Sequence, residues 1–337
     1  MAAKNIICCF GELLFRFSPA MEGKFIADRS MPVFIGGAEL NAATALSLWH
    51  QSTRYVTALP SNYLAEEVAD FVQQKNIDTS FIKYCGERIG SYYLPQGKDL
   101  KNSAVIYDRN YSSFSTLTTG ELDWDAILQD VSWFHFSAIS PALNENVAKV
   151  CLEAVKAAKQ KNITVSIDLN YRAKLWQYGK QPVAIMPELL EYCDVVMGNI
   201  WAANSLLGID ATLEESRGKS NDQLQVAARQ SMQLVKARFP SVQTMAYTFR
   251  LDDTYFACLE NENDFFVSKE FPIRNVVDKV GSGDCFMGGL IYGLTNKLPG
   301  KDVIDFAAAA AILKLTQTGD ATTSSISDVK NMIEHYG

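Results

Sequence analysis

The stretch with the most evident chemistry is Asp278-Lys-Val-Gly-Ser-Gly-Asp284-Cys-Phe-Met-Gly-Gly289. Gly281 and Gly283 let the backbone turn without a Cβ clash. Phe286, Leu290, Ile291 and Leu294 then recur at helical spacing. A glycine turn that opens a helix presents free backbone N–H groups and the positive end of the helix dipole, which together make an anion site. Asp284 stands at the start of that helix. An aspartate there can be a plain N-cap. It can also be a base beside an anion hole, because phosphoryl transfer needs donors around the moving group and an acceptor for the hydroxyl proton. Gly281, Ser282, Gly283 and Asp284 supply both, and the dipole should keep Asp284 ionised. The chain has no G-x-x-x-x-G-K-[ST] P-loop, and Phe286 occupies the place of the third glycine of a dinucleotide fingerprint. No protein-kinase HRD–DFG set is visible.

Something must hold this turn, and the rest of the chain reads as its scaffold. Apolar runs at 6–10, 54–59, 131–136, 164–168, 195–197 and 244–249 read as strands. Between them, 38–49, 64–75, 145–161, 187–192 and 222–239 carry helical spacing. Such alternation predicts a doubly wound α/β fold, a mostly parallel sheet with helices on both faces. Two stretches break the order. Residues 13–34 and 91–115 alternate in strand fashion, with Phe15, Phe17 and Phe25 in the first and Val105–Tyr107 in the second. They read as a small β-sheet lid built from two insertions, or as two surface hairpins. The α/β core is then 1–12, 35–90 and 116–337.

Composition removes whole classes of function. A net charge of −7 argues against a general nucleic-acid-coating role. The longest apolar run, 306–313, is far short of a membrane span, and the N-terminal run is too short for a signal peptide. Seven cysteines without framework spacing read as reduced thiols in a cytoplasmic protein. With no C-x-x-C and three scattered histidines, a structural zinc site is not expected.

The 278–284 segment resembles the D-T-x-G-A-G-D signature of the ribokinase (PfkB) carbohydrate-kinase family. Gly36-Gly37-Ala-Glu-Leu-Asn41 resembles that family's G-G-A-x-x-N element, so the resemblance spans nearly the whole chain. It implies a ribokinase-like fold with a β-lid, Asp284 as catalytic base, and amides of Gly281, Ser282 and Gly283 as the anion hole. Gly36, Gly37 and Asn41 would touch the sugar. Lys279 replaces the usual threonine beside the hole, where the family resemblance also admits a monovalent cation.

Further segments are similar to 2-keto-3-deoxygluconate kinases: Phe10-Gly11-Glu12, Arg16-Phe17-Ser18-Pro19, Tyr107-Asp108-Arg109, Phe136-Ser137-Ala138-Ile139, and Asp168-Leu-Asn170-Tyr171-Arg172 before Trp176. By that resemblance Tyr92, Tyr107, Arg109, Ile139 and Arg172 line the sugar site. Two arginines suit a carboxylate-bearing sugar, although each could be a surface ion pair and the tyrosines could be lid packing. Asn199 resembles the start of the family's N-x-x-E element, but Ala202 stands where the acid belongs. Either magnesium is managed through ATP phosphates and water or activity is reduced. Thr248 and Arg250 resemble a T-x-R element near the nucleotide phosphates. The 307–315 stretch and Gly319 resemble the helix and turn beside adenine, or form an Ala-rich packing helix. The expected function is ATP- and Mg2+-dependent phosphorylation of a primary hydroxyl, giving 2-keto-3-deoxygluconate 6-phosphate. A fructokinase-like enzyme and a catalytically weak sugar or nucleotide sensor are the alternatives. Expected partners are a small sugar or sugar acid and ATP, with no nucleic acid and no membrane, and a homodimer formed through the lid.

Overall fold

A computed structural model describes residues 5–19, 25–26, 30–95, 105–210, 213–262 and 264–336. Of the two insertion stretches, 20–24, 27–29 and 96–104 lie outside the described residues. Among those described, a ten-stranded sheet forms the centre. Ile6–Phe10 lies inside it, parallel to Ser52–Val56 on one side and to Val131–Ser137 on the other. From Val131–Ser137 the sheet continues, still parallel, through Thr164–Asp168, Val195–Gly198 and Thr244–Arg250. Thr254–Asn261 then turns back antiparallel and pairs with Asp264–Val267 and Phe271–Pro272.

The strands are apolar throughout because both faces are covered. Within Ile6–Phe10, Cys8 and Phe10 join one core while Ile7 and Cys9 join the other, as the period of two requires. Helices Glu145–Gln160 and Asn221–Arg238 pack on the first face. Ala38–Leu48, Ser282–Thr295 and Gly300–Leu315 pack on the second. Several starts were fixed by local chemistry: Asn62 and Asn144 accept from the backbone N–H three residues on, and Ser220 and Ser325 form capping boxes.

A separate four-stranded sheet has the order Val33–Gly36, Leu14–Phe17, Gly90–Tyr93, Ile106–Asp108. This is the small sheet anticipated from the alternating stretches, beside a doubly wound core. Two features depart from the sequence reading. The strand expected at 54–59 is two strands, Ser52–Val56 in the main sheet and Ala58–Leu59 paired with Lys83–Tyr84. The antiparallel edge beyond Arg250 is not among the strands expected from the sequence, although Asp252-Asp253 marks its hairpin, closed by Leu251 N–H donating to the Thr254 carbonyl at 2.8 Å.

Candidate active site

Strand order reverses at Ile6–Phe10: the chain first builds outward on one side, then returns to build the other. In open α/β sheets, ligands bind at such a switch point, outside the carboxyl ends of the strands. A cavity of about 1060 Å³ lies there. Ile139 follows one strand, Asp168 ends the next, and Gly198 with Asn199 and Thr248 with Arg250 end the following two; all line the cavity. Opposite them stand Gly281, Ser282, Gly283 and Asp284 at the start of the helix Ser282–Thr295, with Gly37 and Asn41 from the Ala38–Leu48 region. Tyr92, Tyr107 and Arg109 enter from the small sheet and its flank, and Arg172 from the loop after Asp168.

The turn has the geometry of an anion site. Gly281 sits at φ 79°, and a Cβ there would lie 1.7 Å from the backbone oxygen of Asp320, so no other residue fits. No side chain caps the helix, which leaves its first amides to a ligand. Ser282 contributes only backbone, since its hydroxyl donates to the Ala311 carbonyl at 3.1 Å. Asp284 is not the N-cap: it lies inside the first turn, and its Oδ2 accepts from Asn41 Nδ2 at 2.7 Å.

Burial works against the ionised state expected of Asp284 without abolishing it near neutral pH. Burial pushes its carboxyl up to about 6, with the Asn41 hydrogen bond and Arg172 pulling the other way. Asp168 is raised to about 7 by burial and by Asp284. Glu39 is raised to about 7 by burial, against the Ser137 hydroxyl and amide that donate to its Oε1. A carboxyl near 6 suits a general base working close to neutral pH.

The arginines divide. Arg109 reaches the cavity, but its Nε and Nη2 are held by Glu12 at 2.6 Å, with both side chains buried. Part of its fork is therefore spent inside the protein. Arg172 donates to the Tyr171 carbonyl at 3.1 Å, and its charge is felt by Asp284 and Asp168. Arg250 is lowered by burial and by the like charge of Arg172, which places two guanidiniums in one field. Asn199 caps the helix Ile200–Leu207, its Oδ1 accepting from the Ala202 N–H at 2.8 Å. Ala202 lines the cavity and brings no acid.

Two sequence-expected residues and one helix do not line the cavity. Gly36 ends a small-sheet strand with Asp320 against it. Gly319 turns against Phe34 and donates to Asp278 Oδ2 at 3.3 Å. Most of the 307–315 stretch is buried in Gly300–Leu315, where Gly289 lets Ala307 approach the neighbouring helix.

Residues 4–327 match the model of the pfkB family carbohydrate kinases. The chain belongs to that family. It is a carbohydrate kinase with the ribokinase-like α/β fold. A 2-dehydro-3-deoxygalactonokinase of Haloferax volcanii is 27% identical over 328 residues, 96% of this chain and 95% of that protein. The crystal structure of 2-dehydro-3-deoxygluconokinase from Thermotoga maritima superposes with a TM-score of 0.89 at 31% identity, covering 98% of this chain and 99% of that one. The fructokinase from Xylella fastidiosa, solved with bound ATP, shares the fold with a TM-score of 0.78 at 20% identity, covering 98% and 99%.

Sequence reasoning gave this kinase no role for several charged residues at or behind the cavity. Asp168 and Asp320 line it. Arg16 bridges Asp278 (Nη2 to Oδ2, 2.6 Å) and Asp320 (Nε to Oδ1, 2.7 Å). Lys314 is fully buried. A signal for Lys314 existed: it falls on the same helical face as Ala307 and Ala311, where a charge is out of place.

Proposed function

We propose that this kinase transfers the γ-phosphoryl group of ATP to the primary hydroxyl of 2-keto-3-deoxygluconate, giving the 6-phosphate. Asp284 accepts the hydroxyl proton, and the oxygen attacks phosphorus in line. The amides at 281–283 receive the charge on the moving phosphoryl group. Asn41 keeps Asp284 oriented. Arg250, Thr248 and Asn199 lie toward the nucleotide, and Tyr92, Tyr107, Ile139 and Gly37 toward the sugar, with Arg172 between them. Magnesium bound with ATP neutralises phosphate charge. No group of three ligating side chains occurs among the described residues, so phosphate and water would supply most of its ligands. The small sheet serves as a lid that excludes water. Its two edge strands expose Val33 and Ile106, and we propose this edge as the homodimer contact.

The observation that carries the acid-sugar reading is the convergence of Arg172 and Arg109, from opposite walls, on the cavity that holds Asp284. The names of the Haloferax and Thermotoga relatives support it. The hold of Glu12 on Arg109 favours a second reading, a neutral sugar such as fructose, as in the fructokinase-1 of Zea mays, 24% identical. Coupled ADP release decides between them, measured with 2-keto-3-deoxygluconate, its galactonate epimer and fructose. The proposal expects kcat/KM for an acid sugar to exceed that for fructose by roughly tenfold or more, about 1.4 kcal/mol. Preference for fructose would overturn it.

A further inference from the structure

One buried side chain joins the small sheet to the anion turn. Arg16 lies on Leu14–Phe17, in register with Tyr92 on the neighbouring strand, and is 1% exposed. Each of its three nitrogens is engaged. Nη2 donates to Asp278 Oδ2 at 2.6 Å, Nε to Asp320 Oδ1 at 2.7 Å and Nη1 to the Ser18 hydroxyl at 3.3 Å. The Phe34 ring covers one face of the guanidinium, its centroid 4.2 Å from Cζ. Tyr92 completes the group, its hydroxyl donating to Asp320 Oδ2 at 3.0 Å.

Both aspartates bear on the turn. Asp278 Oδ1 accepts from the Val280 N–H at 3.1 Å, within the turn itself. Its Oδ2 also accepts from the N–H of Gly319, the residue before Asp320, at 3.3 Å. The backbone oxygen of Asp320 fills the space where Gly281 would carry a Cβ, so a shift of Asp320 is a shift of the turn. Asp278 and Asp320 are 7% and 3% exposed. Two buried carboxylates that share one guanidinium repel each other once it is gone. Arg16 supplies more than the counter-charge, because its planar fork holds its donors in fixed directions and so fixes the spacing of the pair. Charge neutralisation alone would be met by a lysine; the spacing requires the fork.

We propose that Arg16 is a positioning residue for phosphoryl transfer: acting through Asp278 and Asp320, it sets where the 281–283 amides and Asp284 stand relative to the small sheet that carries Tyr92. This rests on the reading of the turn as the phosphoryl-binding site, and is independent of which sugar is the substrate.

The test compares full-length wild type, Arg16→Lys and Asp284→Asn. Coupled ADP release is measured with whichever of 2-keto-3-deoxygluconate and fructose the wild type turns over faster, and thermal melting is read alongside. Arg16→Lys keeps the charge and most of the stem and loses the fork. It should lose roughly tenfold or more in kcat, the effect of about 1.4 kcal/mol on a barrier. KM for the sugar should change by less than about threefold, because the interaction lost is one made in the transition state. An ion pair that only held the fold would lower the melting temperature and leave kcat alone. A folded Arg16→Lys with kcat within about threefold of wild type overturns the proposal, as does a KM that rises as much as kcat falls, the sign of a lost sugar contact. Should Arg16→Lys not fold, Asp320→Asn carries the test: it keeps the volume, removes the charge paired with Nε, and should show the same loss of kcat, with a wild-type kcat overturning the proposal. Near-normal turnover of Asp284→Asn overturns the reading of the turn and the proposal with it. An inactive Asp284→Asn beside an unaffected Arg16→Lys overturns the proposal alone.

Discussion

Asn41 offers the sharpest test of the catalytic base. Its Nδ2 donates to Asp284 Oδ2 at 2.7 Å and lowers a carboxyl that burial has raised to about 6. Asn41→Leu keeps most of the volume and removes the donor. A hydrogen bond to a charged group is worth about 1.5–3 kcal/mol, and one pKa unit corresponds to about 1.4 kcal/mol. If the bond acts mainly on the ionised form, the Asp284 pKa should rise by roughly 1–2 units, to about 7–8. The base works when ionised, so activity is present above its pKa and lost as pH falls through it. At pH 7 the ionised fraction should drop from about nine-tenths to between about half and one-tenth, a loss of roughly 2–10-fold that recovers near pH 9. The assay is kcat/KM against pH by coupled ADP release, since that parameter reports the free enzyme. Asn41 also lines the cavity, so a lost sugar contact would lower the whole curve; the diagnostic is displacement of the acid limb. Asp284→Asn is the control, expected to lose on the order of 10²–10⁴ at every pH. An acid limb for Asn41→Leu that coincides with the wild type would refute the reasoning, and near-normal turnover of Asp284→Asn would remove the base itself.

Arg172→Ala should raise KM for the acid sugar more than for fructose. Arg109→Ala should in addition lower the melting temperature, because it leaves the buried Glu12 carboxylate without its counter-charge, with only the Ser112 hydroxyl still donating to it, at a cost of about 3–5 kcal/mol; equal thermal behaviour of the two variants would contradict this. Glu39 and Asp168 sit near 7 and Asp284 near 6, all above their unfolded values. Each therefore contributes stability that is lost as pH rises through its folded pKa, and the free protein should melt higher at pH 6.5 than at pH 8. Below about 6.5, His135, held neutral by burial with its pKa lowered to about 4, works in the opposite sense. A flat melting profile from pH 8 to 6.5 would refute the raised carboxyls. Ile106→Lys on the exposed edge strand should shift light-scattering mass toward monomer, and an unchanged dimer would exclude that edge as the contact.

Much of this architecture is legible in the sequence because period and punctuation are local. The alternation of apolar runs with helical spacing yields the doubly wound core, and the glycine turn with its following helix yields the anion site. What the sequence hides is distance-dependent. Asp284 reads by spacing first as a cap and only second as a base until Asn41, remote in sequence, is seen bonded to it. Arg109 reads as a free carboxylate fork until the fold presents Glu12. Gly319 resembles part of a nucleotide turn, yet it does not line the cavity, and its amide donates to Asp278 behind it. Lys314 is the intermediate case: helical periodicity puts it on the buried face, but only the fold shows that its Nζ finds the Gln317 carbonyl there.

The bond between Asn41 and Asp284, and the bridges from Arg16 to Asp278 and Asp320, tie the opening part of the chain to its closing part. During synthesis, when domains fold from the N-terminus as the chain emerges, the sugar-facing residues exist long before the anion turn does. A ribosome-bound chain stopped short of Asp278 would lack the proposed base and the amides proposed to hold the phosphoryl group. On the proposed mechanism the nascent protein would be incapable of wasting ATP, and a proteolytic clip between the turn and Lys314, which removes Lys314 and Asp320, should be a one-step inactivation.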